Sequence, residues 1–79
     1  MRVHVKLYAG LERLLAEAES AVPFEVQLAE GATVGDMLVH LELSQRIVKL
    51  AFVNGRSRSM EHLLGDGDEV GLFPPVGGG

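Results

Sequence analysis

The sequence predicts an α+β fold: a mixed sheet of about five strands over one main helix, with a second, short helix beside it. Three observations carry that prediction. Residues 2–8 alternate between apolar and polar side chains. Residues 33–41 place apolar side chains at helical spacing behind a capping signature. Residues 50–60 contain two strand-like segments hinged on Asn54-Gly55.

Taken in order, the chain begins with Val3, Val5 and Leu7 on one face and His4, Lys6 and Tyr8 on the other. A period of two predicts a half-buried strand. Gly10 ends it. Leu11, Leu14, Leu15 and Ala18 then recur at i, i+3, i+4 and i+7, which predicts a short amphipathic helix. After Pro23, Phe24, Val26 and Leu28 alternate with Glu25 and Gln27 and predict a second strand.

Glu30-Gly31 reads as a turn. Thr33 stands three residues before Asp36, a shortened form of the capping box, and an acid in the first turn suits the positive helix end. Val34, Met37, Leu38 and Leu41 follow at i, i+3, i+4 and i+7. This is the clearest helix in the chain, and its apolar stripe reads as core.

Leu50 to Val53 is a short continuous apolar run and reads as a buried strand. Asn54-Gly55 is a strong hairpin signal, because both residues tolerate a positive φ. The polar return segment, Arg56 to Met60, reads as an edge strand, and Glu61 to Leu64 as one helical turn. Gly65-Asp66-Gly67-Asp68 reads as a tight turn. Glu69 to Phe73 forms the last strand, with Val70 and Leu72 on one face. Pro74 stops it, having no N–H to add to a ladder. The first and last strands are expected side by side in the middle of the sheet. A right-handed crossover carries the main helix if the strands it joins are parallel.

Composition sets the functional limits. Seventy-nine residues make one small domain, divided here into a folded body over 1–73 and an extended tail over 74–79. The apolar share of 47% supports a core, built mostly from Leu and Val since there are only three Phe and one Tyr. The chain has no Cys, so disulfides, cysteine nucleophiles and thiolate metal sites are excluded, in keeping with a cytoplasmic location. The alternation of the first residues does not fit a signal peptide, and no apolar run approaches the roughly 20 residues that span a bilayer. A net charge of -4 argues against nucleic acid and favours a basic partner, or serves solubility alone. Arg56-Ser57-Arg58 is too short to reverse that balance.

No catalytic constellation stands out. His4, His40 and His62 lack the clustering of a metal site. Asp66, Asp68 and Glu69 lack the length and distal Glu of a calcium loop and read as a turn. Lys6 and Lys49 read as solvated. The distinctive stretch is Phe73-Pro74-Pro75-Val76-Gly77-Gly78-Gly79. Terminal glycines alone are commonly frayed ends or linker remnants. Pro74-Pro75-Val76 directly after a well-patterned strand is not linker-like.

A carboxylate is a poor electrophile and is commonly activated by adenylation. The glycines at 77–79 lack the Lys and Ser/Thr of a phosphate loop, so a partner must bind the ATP. Six residues beyond Phe73 reach at most roughly 20 Å. Pro74-Pro75 stiffens the start of that reach, and glycine leaves no Cβ to block a narrow channel.

Four stretches resemble a known family: Tyr8 to Leu14, Glu30 to Asp36, Phe52 to Gly55, and Leu64 to Gly79 with its Gly65-Asp66-Gly67-Asp68-Glu69-Val70 and Phe73-Pro74-Pro75-Val76 elements and final Gly78-Gly79. Together they resemble the ubiquitin-like sulfur carriers of the β-grasp fold, and among them the small, sulfur-carrying subunit of molybdopterin synthase. The resemblance spans essentially the whole chain. The middle stretches are generic to the fold and the tail separates the subgroups.

The resemblance implies that the Gly79 carboxylate is adenylated by an adenylyltransferase similar to ubiquitin-activating enzymes, with ATP bound there and no cofactor bound by this chain. It further implies conversion to a thiocarboxylate. Phe73, Pro74, Pro75, Val76, Gly77, Gly78 and Gly79 would then enter the large subunit of molybdopterin synthase, in a heterotetramer. There the sulfur passes to a cyclic pyranopterin phosphate to build the dithiolene of the molybdenum cofactor. The apolar part of the exposed sheet face would dock both partners in turn.

Two features depart from the molybdopterin pattern. The connection Leu41 to Lys49 is short, as in the thiamine sulfur carriers, and position 77 adds a third glycine. Four readings therefore stand: a carrier for molybdopterin, a carrier for thiamine or tRNA thiolation, a protein modifier joined through Gly79 to lysines, and a binding module with an inert tail.

Overall fold

The computed structural model describes residues 1–11 and 23–75. It contains β1 (Arg2–Leu7), β2 (Phe24–Gln27), α1 (Val34–His40), β3 (Leu50–Val53), β4 (Arg56–Arg58) and β5 (Glu69–Phe73). The short helix expected over Leu11 to Ala18 falls, after Leu11, outside the described residues. Leu11 itself is buried.

The strands form a five-stranded mixed sheet in the order β2-β1-β5-β3-β4. β1 and β5 run parallel, with Val5 beside Val70 and Leu7 beside Leu72. β3 lies antiparallel on the other side of β5, with Ala51 beside Leu72 and Val53 beside Val70. The first and last strands are thus neighbours, as expected, and β5 is central. The register puts one set of alternating residues on the covered face. Val3, Val5, Leu7, Val26, Ala51, Val53, Val70 and Leu72 are all buried there, in one cluster with Val34, Met37 and Leu38 of α1. No polar or charged side chain is buried among the described residues.

The helix starts where its sequence says it should. The Thr33 hydroxyl accepts the Asp36 N–H at 3.1 Å, and the Asp36 carboxylate accepts the Thr33 N–H at 3.0 Å. Both arms of the shortened box are made. The remaining free amides of the first turn find backbone partners. Val34 N–H donates to the His62 carbonyl at 3.0 Å and Gly35 N–H to the Met60 carbonyl at 2.8 Å. This corrects the helical turn expected over Glu61 to Leu64. Glu61 instead sits in a turn closed by His62 N–H on the Ser59 carbonyl at 3.1 Å, and His62 to Leu64 then pair with the chain that starts α1, with Leu63 bridged to Thr33 and Leu64 N–H donating to the Ala32 carbonyl at 2.9 Å.

The helix ends without glycine. Leu41 caps it, Glu42 adopts φ 60, and Leu43 N–H reaches back to the Leu38 carbonyl at 2.8 Å while Glu42 N–H reaches Val39 at 3.0 Å. This is the Schellman pattern, with Glu42 in the left-handed position.

The Asn54-Gly55 hairpin forms with φ 53 and φ 86. β4 is an edge strand, as expected, but ends at Arg58 rather than Met60. β3 differs from the fully buried strand expected of Leu50 to Val53. Ala51 and Val53 are buried, whereas Phe52 is half-buried and Leu50 is 37% exposed. The sheet leaves its second face uncovered there, so β3 alternates as β1 does. No helix among the described residues is long and apolar enough to cross a membrane.

Candidate functional site

The last two residues of β5 are held from opposite sides of the strand. Lys49 N–H donates to the Phe73 carbonyl at 3.0 Å, and Tyr8 N–H donates to the Leu72 carbonyl at 3.0 Å. Pro74 comes next and is half-buried; Pro75 is exposed. The backbone is therefore fixed by β1 and β3 up to the residue at which prolines take over. Of the sequence-predicted site residues, the structure places Phe73, Pro74 and Pro75. Val76, Gly77, Gly78 and Gly79 lie outside the described residues.

Side chains on the uncovered sheet face surround the same point. The alternation that buries Val70 and Leu72 turns Glu69, Gly71 and Phe73 outward, and the pairing sets Gly71 beside Lys6 of β1 and Phe52 of β3. The Tyr8 and Phe73 rings stack, with centroids 4.3 Å apart and planes 2° apart. Phe52 meets Phe73 edge-on at 5.5 Å. Lys6, far from being merely solvated, is half-buried and holds its ammonium 5.0 Å from the Tyr8 ring centroid, within cation–π range. A depression of ≈ 550 Å³ is lined by these three rings together with His4, Lys6 and Pro23.

Sequence reasoning did not single out Tyr8 or Phe52 as site residues. A signal was present for Tyr8, which alternation puts opposite Val3, Val5 and Leu7. It was hidden for Phe52 inside a continuous apolar run. The chemistry available on this face is recognition: three half-buried rings, an ammonium and an imidazole. Among the described residues, no three His, Cys, Asp or Glu side chains gather as a metal-holding group.

The sequence matches the ThiS family over residues 7–79. The chain belongs to the ThiS family. Solved structures agree with the β-grasp, ubiquitin-like sulfur-carrier fold that the sequence resembled. A Pyrococcus furiosus protein provisionally described as molybdopterin converting factor subunit 1 is 32% identical, with a TM-score of 0.74 over 96% of this chain and 99% of its own. Small archaeal modifier protein 1 of Haloferax volcanii is 26% identical, with a TM-score of 0.70 over 95% of this chain and 98% of its own. A complex of subunits 1 and 2 of the molybdopterin-converting factor of Helicobacter pylori contains the same fold, at 20% identity and a TM-score of 0.62 over 100% of both chains. No curated protein sequence matches the chain. Within this ThiS-family chain the family match runs through β5 and the glycines to residue 79, so it takes in both the aromatic face and the tail.

Proposed function

We propose that this ThiS-family protein carries sulfur on the carboxylate of Gly79 for molybdopterin synthesis. A ubiquitin-activating-enzyme-like partner binds ATP. The Gly79 carboxylate attacks the α-phosphate, pyrophosphate leaves, and an acyl-adenylate forms. A sulfur donor then displaces AMP to give the thiocarboxylate. Phe73 to Gly79 enter the large subunit of molybdopterin synthase, where the sulfur is delivered to substrate. The globule's part is to hold a slender terminus at a fixed root. A cytoplasmic location belongs to the same reading.

The observation that carries this reading is the 32% identity, over nearly the full length of both chains, to the Pyrococcus furiosus protein described as subunit 1 of molybdopterin converting factor. The clamping of β5 up to Phe73 supports it physically, because a rigid root lowers the ordering cost of inserting the tail. The Helicobacter pylori relative, solved with subunit 2, supports a large-subunit partner. A second reading, a protein modifier joined through Gly79, is favoured by the 26% identity to small archaeal modifier protein 1. The short Leu41 to Lys49 connection keeps a thiamine or tRNA-thiolation pathway as the alternative destination of the sulfur.

Intact mass decides among them. Incubated with the adenylyltransferase, ATP and a sulfur donor, the carrier gains one oxygen-for-sulfur exchange, and deletion of Gly79 abolishes it. Higher-mass conjugates that survive reducing agent identify a modifier. An unchanged mass overturns the carrier reading. Molybdopterin formation on adding the large subunit and the pterin substrate separates the pathways.

A further inference from the structure

Gly71 sits in the middle of the central strand, where glycine is a cost. It weakens a strand by its backbone freedom and offers no side chain to pack. Nothing in the backbone requires it: among the described residues the positive-φ glycines are Gly10, Gly31, Gly55 and Gly67, and Gly71 is not one of them. The space explains it. A Cβ at position 71 would stand 3.0 Å from Tyr8 Cε2 and 3.7 Å from Phe73 Cε1. The Tyr8 ring therefore lies across the bare backbone of Gly71, where it meets Phe73 face to face.

We propose that Gly71 and Tyr8 are positioning residues for the tail: the missing β-carbon at 71 admits the Tyr8 ring, and that ring pins Phe73 at the point where the chain leaves the sheet. This rests on the reading of the protein as a carrier that presents its C-terminal segment. The backbone of Phe73 is already held through Lys49. Stacking on Tyr8 and the edge contact with Phe52 fix its side chain as well. A partner that docks over Phe73 then meets a ring that needs no ordering, which lowers the entropic cost of association. The effect is on docking and leaves the adenylation chemistry at Gly79 untouched.

The test uses Tyr8→Phe, Tyr8→Ala, Gly71→Ala and the Gly71→Ala/Tyr8→Ala double variant of the full chain. Phe73 ring resonances are followed by NMR, and pyrophosphate release by the adenylyltransferase gives kcat and KM for the carrier. Tyr8→Phe keeps the stack and the wild-type KM. Tyr8→Ala shifts the Phe73 ring signals downfield by removing the Tyr8 ring current, and Gly71→Ala moves them by a smaller amount as the Tyr8 ring is displaced. Each raises KM about two- to tenfold at unchanged kcat, the size expected for one immobilised side chain or one aromatic pair. Once Tyr8 is Ala, Gly71→Ala has no further effect, since the two act through one contact. Unmoved Phe73 resonances in Gly71→Ala overturn the proposal, as does a wild-type KM in that variant or an additive double variant. Wild-type protein that releases no pyrophosphate sinks the carrier reading instead; the Phe73 resonances still decide whether Gly71 and Tyr8 hold the ring.

Discussion

Asn54 and Asp68 are joined side chain to side chain, Asn54 Nδ2 donating to Asp68 Oδ1 at 2.9 Å. The link is one of three hydrogen bonds that the Asn54 and Asp68 side chains make around this corner. Asn54 Oδ1 accepts the Glu69 N–H at 3.0 Å, and the other Asp68 oxygen accepts the Gly65 N–H at 2.7 Å. Asn54 therefore makes the β3–β4 turn and also ties it to the turn that feeds β5. The first role needs only a residue tolerant of positive φ; the second is shared between the side-chain amide and the Asn54 backbone N–H, which donates to the Glu69 carbonyl at 2.8 Å.

Two substitutions separate those roles. Asn54→Gly keeps the turn and loses both hydrogen bonds, at about 1–2 kcal/mol for exposed but geometrically sound bonds, one of them to a charged group. Asn54→Ala loses the same bonds and adds the left-handed penalty of roughly 1–2 kcal/mol. Urea denaturation should therefore rank wild type above Asn54→Gly and Asn54→Ala last. Equal stability of Asn54→Gly and wild type would show that the side-chain ties to β5 contribute nothing.

Glu42 offers the opposite case, a native residue in a conformation that suits glycine. It holds φ 60 at the end of α1 and is exposed. Among the described residues it enters no side-chain hydrogen bond or ion pair that this substitution would break. Replacing it by Gly removes the left-handed strain and adds some unfolded-state freedom, for a net gain of about 0.5–1 kcal/mol. A higher urea midpoint with an unchanged slope is the expected result.

Gly35 lies in the first turn of α1, where Ala is ordinarily the better helix former, by up to about 1 kcal/mol in a helix interior. Here a Cβ would sit 3.3 Å from the Met60 carbonyl oxygen and 3.4 Å from Gln45 Nε2. The Met60 carbonyl cannot retreat freely, because it accepts the Gly35 N–H at 2.8 Å. Gly35→Ala is expected to yield no gain, and to lower the thermal midpoint if the 59–64 segment shifts. A rise of several degrees would show that this segment yields without cost.

What could be read from the sequence was whatever a single segment determines. Alternation through Val3, Val5 and Leu7, the Thr33–Asp36 box and the Asn54-Gly55 turn each depend on neighbours within a few residues, and each is found in place. Errors fell where a distant partner decides. His62 to Leu64 form no helical turn because they pair with the residues that start α1, more than twenty positions away in sequence, His62 through its carbonyl to Val34 and Leu64 through its N–H to Ala32. Leu43 and Val48 are buried in the connection after α1 with no period to announce them. The candidate site divides the same way. Phe73 and the prolines were evident as a strand end, and the first and last strands were expected as neighbours, but the Tyr8–Gly71–Phe73 arrangement comes from the register of that pairing, with Lys6 beside Gly71, which no local pattern encodes.

Stability and tail function should separate between Phe73 and Gly78. Phe73 is half-buried, stacked on Tyr8 and touched edge-on by Phe52. Phe73→Ala removes both ring contacts, and about 1–2 kcal/mol of stability goes with them, less than the 3–5 kcal/mol typical of a fully buried ring. Docking should weaken as well. Gly78→Ala adds one methyl beyond the two prolines that end the sheet, so the unfolding midpoint is expected to stay at the wild-type value. If the terminus is threaded through a closed channel, that methyl meets the channel wall, and charging by the adenylyltransferase slows while binding of the globule persists. Equal charging of Gly78→Ala and wild type would mean that the channel is wide, and that the glycines serve reach rather than slimness.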